Sequence, residues 1–122
     1  MINKQSIITN QQYSIVFFGS GAYGLIVLEN LDIKLAPRLI LTTDKNNSDP
    51  VARYAIKNKI EHKKISNINN ATIIEAIKFP KPQVGILANF GLIIPNKVLE
   101  LFPKGILNIH PSLLPKYRGP TP

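Results

Sequence analysis

Residues 13–24 have the sequence Tyr-Ser-Ile-Val-Phe-Phe-Gly-Ser-Gly-Ala-Tyr-Gly, and this stretch decides the fold. Its first six residues are almost all apolar, which is typical of a strand buried on both faces of a parallel sheet. A turn with three glycines follows, and residues 25–31 then place apolar side chains at helical spacing. A strand, a glycine-rich turn and a helix in this order predict the first half of a βαβ unit.

The rest of the chain continues the alternation of strand and helix. Apolar runs predict further strands, and Asp49 before Pro50 is typical of the start of a helix. The predicted strands are residues 39–43, 62–66, 83–88 and 105–109, and the predicted helices are residues 51–59, 70–78 and 96–101. This order predicts an α/β fold, with a Rossmann-like open parallel sheet and helices on both faces. Residues 1–12 lack periodicity and are expected to form a flexible leader.

The composition is that of an ordinary globular protein. Apolar residues make up 44% and charged residues 18%, a balance that excludes an intrinsically disordered chain. There is no cysteine, and His62 and His110 lack metal-ligand spacing, so we expect neither a disulfide nor a metal site. No run approaches the roughly 20 apolar residues of a membrane span, and residues 1–14 lack the apolar centre of a signal peptide. We therefore expect a cytoplasmic protein with no membrane partner.

The formal net charge of +8 at pH 7 is high for 122 residues. It suits a polyanionic partner, of which tRNA is one. It also suits a solvated, lysine-rich surface, because the basic residues are dispersed and do not alternate with aromatic ones. The charge leaves both interpretations open.

The glycine-rich turn also has a functional interpretation. Residues 19–24 match the pattern G-x-G-x-x-G, and Asp44 follows the second predicted strand, about where a dinucleotide-binding fold has its ribose-binding acid. A dinucleotide-binding module is therefore one hypothesis. The other is that Gly21 and Gly24 only allow the first helix to pack closely on the sheet.

Residues 107–119 carry the strongest candidate for chemistry, with the sequence Leu-Asn-Ile-His-Pro-Ser-Leu-Leu-Pro-Lys-Tyr-Arg-Gly. Because side chains alternate along a strand, Asn108 and His110 are expected to share one face at its carboxyl end. Open α/β sheets bind ligands at that end. An asparagine can hydrogen-bond an oxygen that becomes negatively charged, and a histidine can transfer a proton near neutral pH. For an isolated Asn-x-His pair, a turn cap and an ordinary strand-end histidine would be the simpler interpretation.

The whole run of residues 108–119 resembles the signature of the folate-dependent formyltransferases. The resemblance implies that Asn108 and His110 are catalytic and that the formyl donor is 10-formyltetrahydrofolate. It also implies a folate pocket beside the loop after the fourth strand, and an acceptor surface beyond the catalytic pair. The implied folate-binding residues are Asn89, Phe90, Gly91, Leu92 and Ile93, and the implied acceptor-binding residues are Ser112, Leu113, Leu114, Pro115, Lys116 and Arg118.

The resemblance leaves the acceptor open. The commonest acceptor in the family is the amino group of methionyl-tRNA, carried by the charged initiator tRNA, while other members formylate amino sugar nucleotides. The loop after Asp44 is shorter and less basic than is usual in tRNA-acting members, which favours the sugar acceptor. The family also has a third catalytic residue, an aspartate a few dozen residues after the Asn-x-His pair, which would lie beyond Pro122. Residues 13–122 are therefore expected to be a partial catalytic domain with little activity alone.

Overall fold

The structure is a computed structural model, and it describes residues 13–43 and 48–110. Its strands are β1 (Ile15–Gly19), β2 (Leu39–Thr42), β3 (Glu61–Lys64), β4 (Val84–Ala88) and β5 (Ile106–Asn108). Its helices are α1 (Gly21–Glu29), α2 (Pro50–Lys57), α3 (Ala71–Lys78) and α4 (Asn96–Leu99), with a 3-10 turn at Ile33–Leu35. The predicted leader, residues 1–12, lies outside the described residues.

The described strands form one parallel sheet in the order β3-β2-β1-β4-β5. Strand β1 lies at its centre, where Phe17 is opposite Ile40 of β2 on one side and Ile86 of β4 on the other. The chain builds outward from β1 to β3, and then crosses back to place β4 on the far side of β1. This doubly wound order confirms the predicted α/β fold with a Rossmann-like parallel sheet.

Helices cover both faces of the sheet, as predicted. On one face, α1 and α2 pack through Leu28, Val51 and Ala55 against a cluster that includes Phe17. On the other face, residues of α3 and α4 pack against a cluster that includes Phe18. Neighbouring residues of β1 thus supply both clusters, because successive side chains of a strand point to opposite faces. Both phenylalanines are fully buried, so β1 is the doubly buried strand that its apolar run predicted.

The start of α1 differs from the prediction. The helix begins at Gly21, whereas the apolar spacing predicted a helix from residue 25. The Gly21 N–H donates to the carboxylate of Asp49 at 2.8 Å, which satisfies one of the amides left unpaired at a helix start. This cap comes from a residue 28 positions later in the chain, so no local pattern could predict it.

The other helix starts follow local capping residues. Asp49 caps α2 by accepting from the backbone N–H groups of Val51 and Ala52, with Pro50 at the first helical position. Asn70 caps α3 by accepting from Thr72 N–H at 2.8 Å. Aspartate, asparagine and proline are the residues that favour these positions. The predicted starts of both helices agree with the structure to within one residue.

The outer strand β3 has charged and polar side chains rather than apolar ones. Its sequence is Glu-His-Lys-Lys, and it pairs only with β2 among the described strands. Charged side chains on an edge strand oppose pairing with other chains. His62 lies on this strand and is partly buried, far along the sheet from β5 in the strand order.

Candidate functional site

The carboxyl ends of the parallel strands meet at one edge of the sheet. The strand order reverses between β1 and β4, and ligands of open α/β folds bind in the crevice outside the strand ends at such a point. Ser20 follows β1, Thr43 follows β2, Asn89 follows β4 and Asn108 ends β5. Four polar residues from distant parts of the sequence are thus brought to this edge.

Ser20 and Asn89 bridge β1 and β4 at the point of reversal. The Ser20 N–H and hydroxyl both donate to the Asn89 carbonyl oxygen, each at 3.1 Å. In return, the Asn89 side-chain amide donates to the Ser20 carbonyl oxygen at 2.9 Å. Asn89 has φ 59°, a left-handed conformation that asparagine tolerates better than most residues. The crevice between β1 and β4 is therefore bridged by the protein's own hydrogen bonds.

Thr43 extends this bonding to the loop after β4. Its hydroxyl donates to the Phe90 carbonyl oxygen at 2.8 Å. The Ser20 and Thr43 hydroxyl oxygens lie 3.4 Å apart. Since each hydroxyl has one hydrogen and already donates it, this approach is a contact rather than a further strong bond.

Asp49 joins the starts of two helices. The residue is only 3% exposed. Its carboxylate accepts from Gly21 N–H of α1 at 2.8 Å and from Val51 N–H of α2 at 3.1 Å. Ala52 N–H and the Thr42 hydroxyl approach the same carboxylate at 3.3 and 3.4 Å. A buried carboxylate is stable when it accepts several such bonds and lies at the positive ends of helix dipoles.

We call Ser20, Thr43, Asp49 and Asn89 the closed half of the edge, because each uses its side chain to bond another part of the protein. This arrangement bears on the dinucleotide hypothesis. The amide at the start of α1, which would meet a pyrophosphate in such a fold, already bonds the Asp49 carboxylate. Asp44, the predicted ribose-binding acid, lies outside the described residues.

The glycines of the turn are explained by close packing. A Cβ atom at Gly19 would lie 2.3 Å from the Ala88 carbonyl oxygen, and one at Gly24 would lie 3.0 Å from Val51 Cγ2. Gly21 has φ 74°, which a residue with a side chain rarely adopts. The pattern G-x-G-x-x-G therefore follows from the fold here, which was the second of the two interpretations of this turn.

Asn108 and His110 lie on the other side of β4, at the end of β5. Leu87 of β4 is opposite Asn108, and the pairing continues to Ile109, whose N–H donates to the Leu87 carbonyl oxygen at 2.8 Å. Ile106 packs on the cluster of Phe18 and Ile109 on that of Phe17. Asn108 therefore shares the face of Ile106, and His110 follows on the same face by alternation.

The side chains of Asn108 and His110, the candidate catalytic pair, are free to contact a ligand. Asn108 and His110 are both exposed. Within residues 13–43 and 48–110, neither side chain has a hydrogen-bond or ion-pair partner. The turn-capping role that an isolated Asn-x-His pair would suggest is therefore not seen among these residues.

The loop after β4 presents free main-chain groups at the same edge of the sheet. Phe90 is buried, with its ring centroid 5.3 Å from that of Phe18, and Leu92 packs partly against the same cluster. Ile93, in contrast, is 91% exposed. Among the described residues, nothing pairs with the N–H and C=O groups of residues 91–93. We call residues 91–93, Asn108 and His110 the open half of the edge.

The predicted folate-binding residues thus divide between the two halves. Asn89 bonds Ser20, and the Phe90 side chain lies in the core, whereas Gly91, Leu92 and Ile93 keep unpaired main-chain groups. The predicted acceptor-binding residues lie outside the described residues and are Ser112, Leu113, Leu114, Pro115, Lys116 and Arg118. The roles of both sets stay predictions.

Ser20 and Thr43 were not among the residues predicted to belong to the site. Each is a hydroxyl residue directly after an apolar strand. Since the carboxyl ends of parallel strands meet at one edge, that position was the signal that could have identified both. Their partners, Asn89 and Phe90, lie 69 and 47 positions away along the chain, so the pairing itself required the structure.

Clefts elsewhere on the surface differ from this edge. One of about 450 Å³ lies between α1 and α2, and two of about 330 and 370 Å³ flank the exposed ring of Phe79. None of these three clefts is lined by Asn108, His110 or residues 91–93. The candidate site is therefore identified by its unpaired polar groups and not by the presence of a deep cleft.

The described residues contain no helix long and apolar enough to cross a membrane. In the same part of the chain, no group of three or more His, Cys, Asp or Glu side chains is placed to hold a metal ion. The expected absence of a metal site stays a prediction for the whole chain.

The chain is similar to proteins of known family. It is 34% identical over 116 residues to the methionyl-tRNA formyltransferase of Thermus thermophilus, which covers 88% of this chain and 38% of that protein. It is 36% identical over 118 residues to the methionyl-tRNA formyltransferase of Methylacidiphilum infernorum, covering 88% and 37%. The enzyme of the same name from Acetivibrio thermocellus is 40% identical over 78 residues, covering 64% and 25%.

The chain spans 37–38% of the length of the first two of these relatives. The sequence pattern of the formyl transferase family matches residues 36–122, which is more than half of the chain and includes Asn108, His110 and the loop after β4. The matched region also contains strands β2 to β5 of the parallel sheet. The chain therefore belongs to the formyl transferase family.

Proposed function

We propose that this chain belongs to an enzyme that transfers a formyl group from 10-formyltetrahydrofolate to the amino group of methionyl-tRNA. The observation that carries the proposal is the open half of the edge. There Asn108 and His110, both exposed, share the carboxyl edge of the sheet with a loop whose main-chain groups are unpaired. Membership of the formyl transferase family and relatives named methionyl-tRNA formyltransferase support it.

The loop after β4 fits a flat folate ring system. Such a ring carries hydrogen-bond donors and acceptors around an apolar plane, and small-molecule sites combine apolar walls with a few placed polar groups. Gly91, Leu92 and Ile93 offer unpaired N–H and C=O groups, and Ile93 offers an exposed apolar side chain. These residues would hold the folate, which supplies the formyl group when bound.

Asn108 would stabilise charge on the formyl oxygen. When an amine attacks the formyl carbon, negative charge develops on that oxygen, and an amide N–H directed at it lowers the barrier. One such donor typically contributes about 3–4 kcal/mol to catalysis. The Asn108 amide is suited to this role because no other group among the described residues occupies it.

His110 would move the proton that the attacking amine must lose. An amine attacks only in its neutral form, and the nitrogen that leaves the formyl carbon must gain a proton. An imidazole can serve both needs near neutral pH. His110 follows Asn108 on the same face of the strand, so one bound formyl group can meet both side chains.

Methionyl-tRNA is proposed as the acceptor because of the names of the relatives and the net charge of the chain. The relatives described above are named methionyl-tRNA formyltransferase, and a formal net charge of +8 suits a polyanion. Ser112, Leu113, Leu114, Pro115, Lys116 and Arg118 follow the catalytic pair and would contact the acceptor, with the two basic side chains meeting phosphate. With this acceptor, the proposed location is the cytoplasm, where charged initiator tRNA would be used.

An assay of formyl transfer by the full-length protein tests the proposal. The donor is 10-formyltetrahydrofolate, and methionyl-tRNA and an amino sugar nucleotide are offered in separate reactions. We expect formylation of methionyl-tRNA that is lost in the Asn108→Ala variant. Formylation of the amino sugar nucleotide alone would change the proposed acceptor but support formyl transfer. Transfer to neither acceptor, with a folded protein, would contradict the proposal.

A further inference from the structure

The loop that would bind folate adopts an unusual backbone path. Asn89 has φ 59° and Gly91 has φ 88°, so two left-handed residues flank Phe90. Left-handed conformations are unfavourable for residues with side chains and persist where neighbouring contacts hold them. The direction in which residues 91–93 leave the sheet therefore depends on what anchors Asn89 and Phe90.

Two hydroxyl groups supply the polar anchors. Ser20 holds Asn89 through bonds of 3.1 Å to its carbonyl oxygen. Thr43 holds Phe90 through a bond of 2.8 Å to its carbonyl oxygen. Among the described residues these are the last hydrogen bonds before residues 91–93, whose main chain makes none.

We propose that Thr43 is a positioning residue for the formyl donor, an inference that rests on the proposed function. By fixing the Phe90 carbonyl, its hydroxyl sets the direction of the peptide groups of residues 91–93, which are presented to the ligand. Thr43 lies at the end of β2 and acts through the loop. It need not touch the folate itself.

The Phe90 side chain cannot replace this anchor. Its ring is buried against Phe18, with an interplanar angle of 71°, and so fixes the side chain of residue 90 in the core. A ring held in this way still allows the following peptide planes to rotate about ψ of Phe90. The bond from Thr43 restrains the carbonyl group whose orientation defines that rotation.

Replacement of Thr43 by valine removes the hydroxyl and keeps the branched shape. A net hydrogen bond of about 0.5–1.5 kcal/mol corresponds to about a two- to twelvefold weaker donor complex. We expect Thr43→Val to raise the Kd of 5-formyltetrahydrofolate by this factor, and to raise KM for the donor with kcat nearly unchanged. Thr43→Ser keeps a hydroxyl and should bind within about twofold of the unmodified protein.

The matched control is Thr72→Val. Thr72 is exposed on α3, and its hydroxyl has no bond among the described residues, so this variant should leave the Kd unchanged. The exchange rate of the Ser20 amide hydrogen gives a second readout that needs no ligand. That amide donates to Asn89, and we expect its exchange to be faster in Thr43→Val and unchanged in Thr43→Ser and Thr72→Val.

Two results would overturn the inference. One is unchanged folate binding and unchanged Ser20 exchange in Thr43→Val. The other is an equal loss in Thr43→Ser, which would assign the effect to side-chain volume. If the unmodified full-length protein binds no 5-formyltetrahydrofolate, the proposed function fails, and with it the role of Thr43 toward a folate donor. A faster Ser20 exchange would then show only that Thr43 holds the loop.

Discussion

The two halves of the carboxyl edge satisfy their polar groups in opposite ways. In the closed half, Ser20, Thr43, Asp49 and Asn89 bond other parts of the protein. In the open half, Asn108, His110 and the main chain of residues 91–93 have no partner among the described residues. Asp49 is buried and needs its partners, whereas Asn108 and His110 are exposed and can keep their capacity for a ligand.

The difference shows how one edge can be both scaffold and site. The strand order reverses between β1 and β4, where the general rule for open α/β folds expects a ligand. Here the protein's own bonds bridge that point, and the unpaired side chains of Asn108 and His110 lie one strand further along, at the end of β5. We infer that the closed half holds the loop after β4 in place so that the open half can bind and react.

The largest expected effect concerns the open half. Asn108→Ala should lower kcat for formyl transfer about 10²–10³-fold, and His110→Ala about 10²–10⁴-fold, because each removes a group that we propose to act on the reacting atoms. Thermal unfolding should be unchanged, since both side chains are exposed. Steady-state kinetics of the full-length protein measure the first effect, and calorimetry measures the second.

The control for these variants is Leu107→Ala. Leu107 lies on the same strand, is 59% exposed and points to the opposite face from Asn108. Its substitution should leave kcat within about twofold, as expected for a surface change away from the site. A comparable loss of kcat in Leu107→Ala would mean that catalysis depends on the integrity of strand β5 rather than on the side chains of Asn108 and His110.

The next effect concerns the stability of the closed half. Asp49→Ala should lower the free energy of unfolding by about 2–4 kcal/mol, because it removes a helix cap and leaves amides at the starts of two helices unpaired, those of α2 being buried. Asn70→Ala, which removes the exposed cap of α3 alone, should cost about 1 kcal/mol. Urea unfolding measures both. If Asp49→Ala and Asn70→Ala lose the same free energy of unfolding, Asp49 stabilises only the start of α2.

A smaller effect separates backbone strain from close contact. Gly21→Ala should destabilise the protein by about 2 kcal/mol, because a left-handed φ is strained for alanine and its Cβ would lie 3.0 Å from Asn89 Nδ2. Gly105 has a similar φ of 84°, and a Cβ added there would have no atom within 4 Å. In Gly105→Ala, backbone strain alone should therefore cost about 1 kcal/mol. If both variants lose the same free energy of unfolding, the approach of Gly21 to Asn89 contributes nothing.

The smallest effect tests the exposed apolar side chain of the open half. Ile93→Ser should raise the Kd of 5-formyltetrahydrofolate a few-fold by removing apolar contact area, while the free energy of unfolding changes by less than about 0.5 kcal/mol. Ile56→Ser changes an isoleucine that is 63% exposed on α2 and should leave the Kd unchanged. Isothermal titration calorimetry distinguishes the two variants.

The sequence predicts the elements of this fold well where a local pattern defines them. Apolar runs placed the central strands β1, β2 and β4 to within two residues of their ends. Asp49 with Pro50 marked the start of α2, and either Asn69 or Asn70 was expected to cap α3, where the structure has Asn70. These signals are local, because burial on both faces of a sheet and the capping of a helix each act over a few residues.

The features that join distant residues could not be predicted in this way. The start of α1 depends on Asp49, and the path of the loop after β4 depends on Ser20 and Thr43. The resemblance implied folate-binding roles for both Phe90 and Ile93, but it could not tell that the Phe90 side chain lies in the core while that of Ile93 is exposed. Burial of a particular apolar residue in a loop is decided by tertiary packing, which periodicity does not report.

A titration of the full-length protein with 5-formyltetrahydrofolate and, separately, with NADH tests the division into two halves most directly. Two-dimensional NMR spectra locate the binding through the backbone amide signals. We expect 5-formyltetrahydrofolate to bind and to shift the signals of residues 91–93, Asn108 and His110, while NADH leaves the Gly21 signal unchanged. Binding of NADH that shifts Gly21, without any response to folate, would contradict the account.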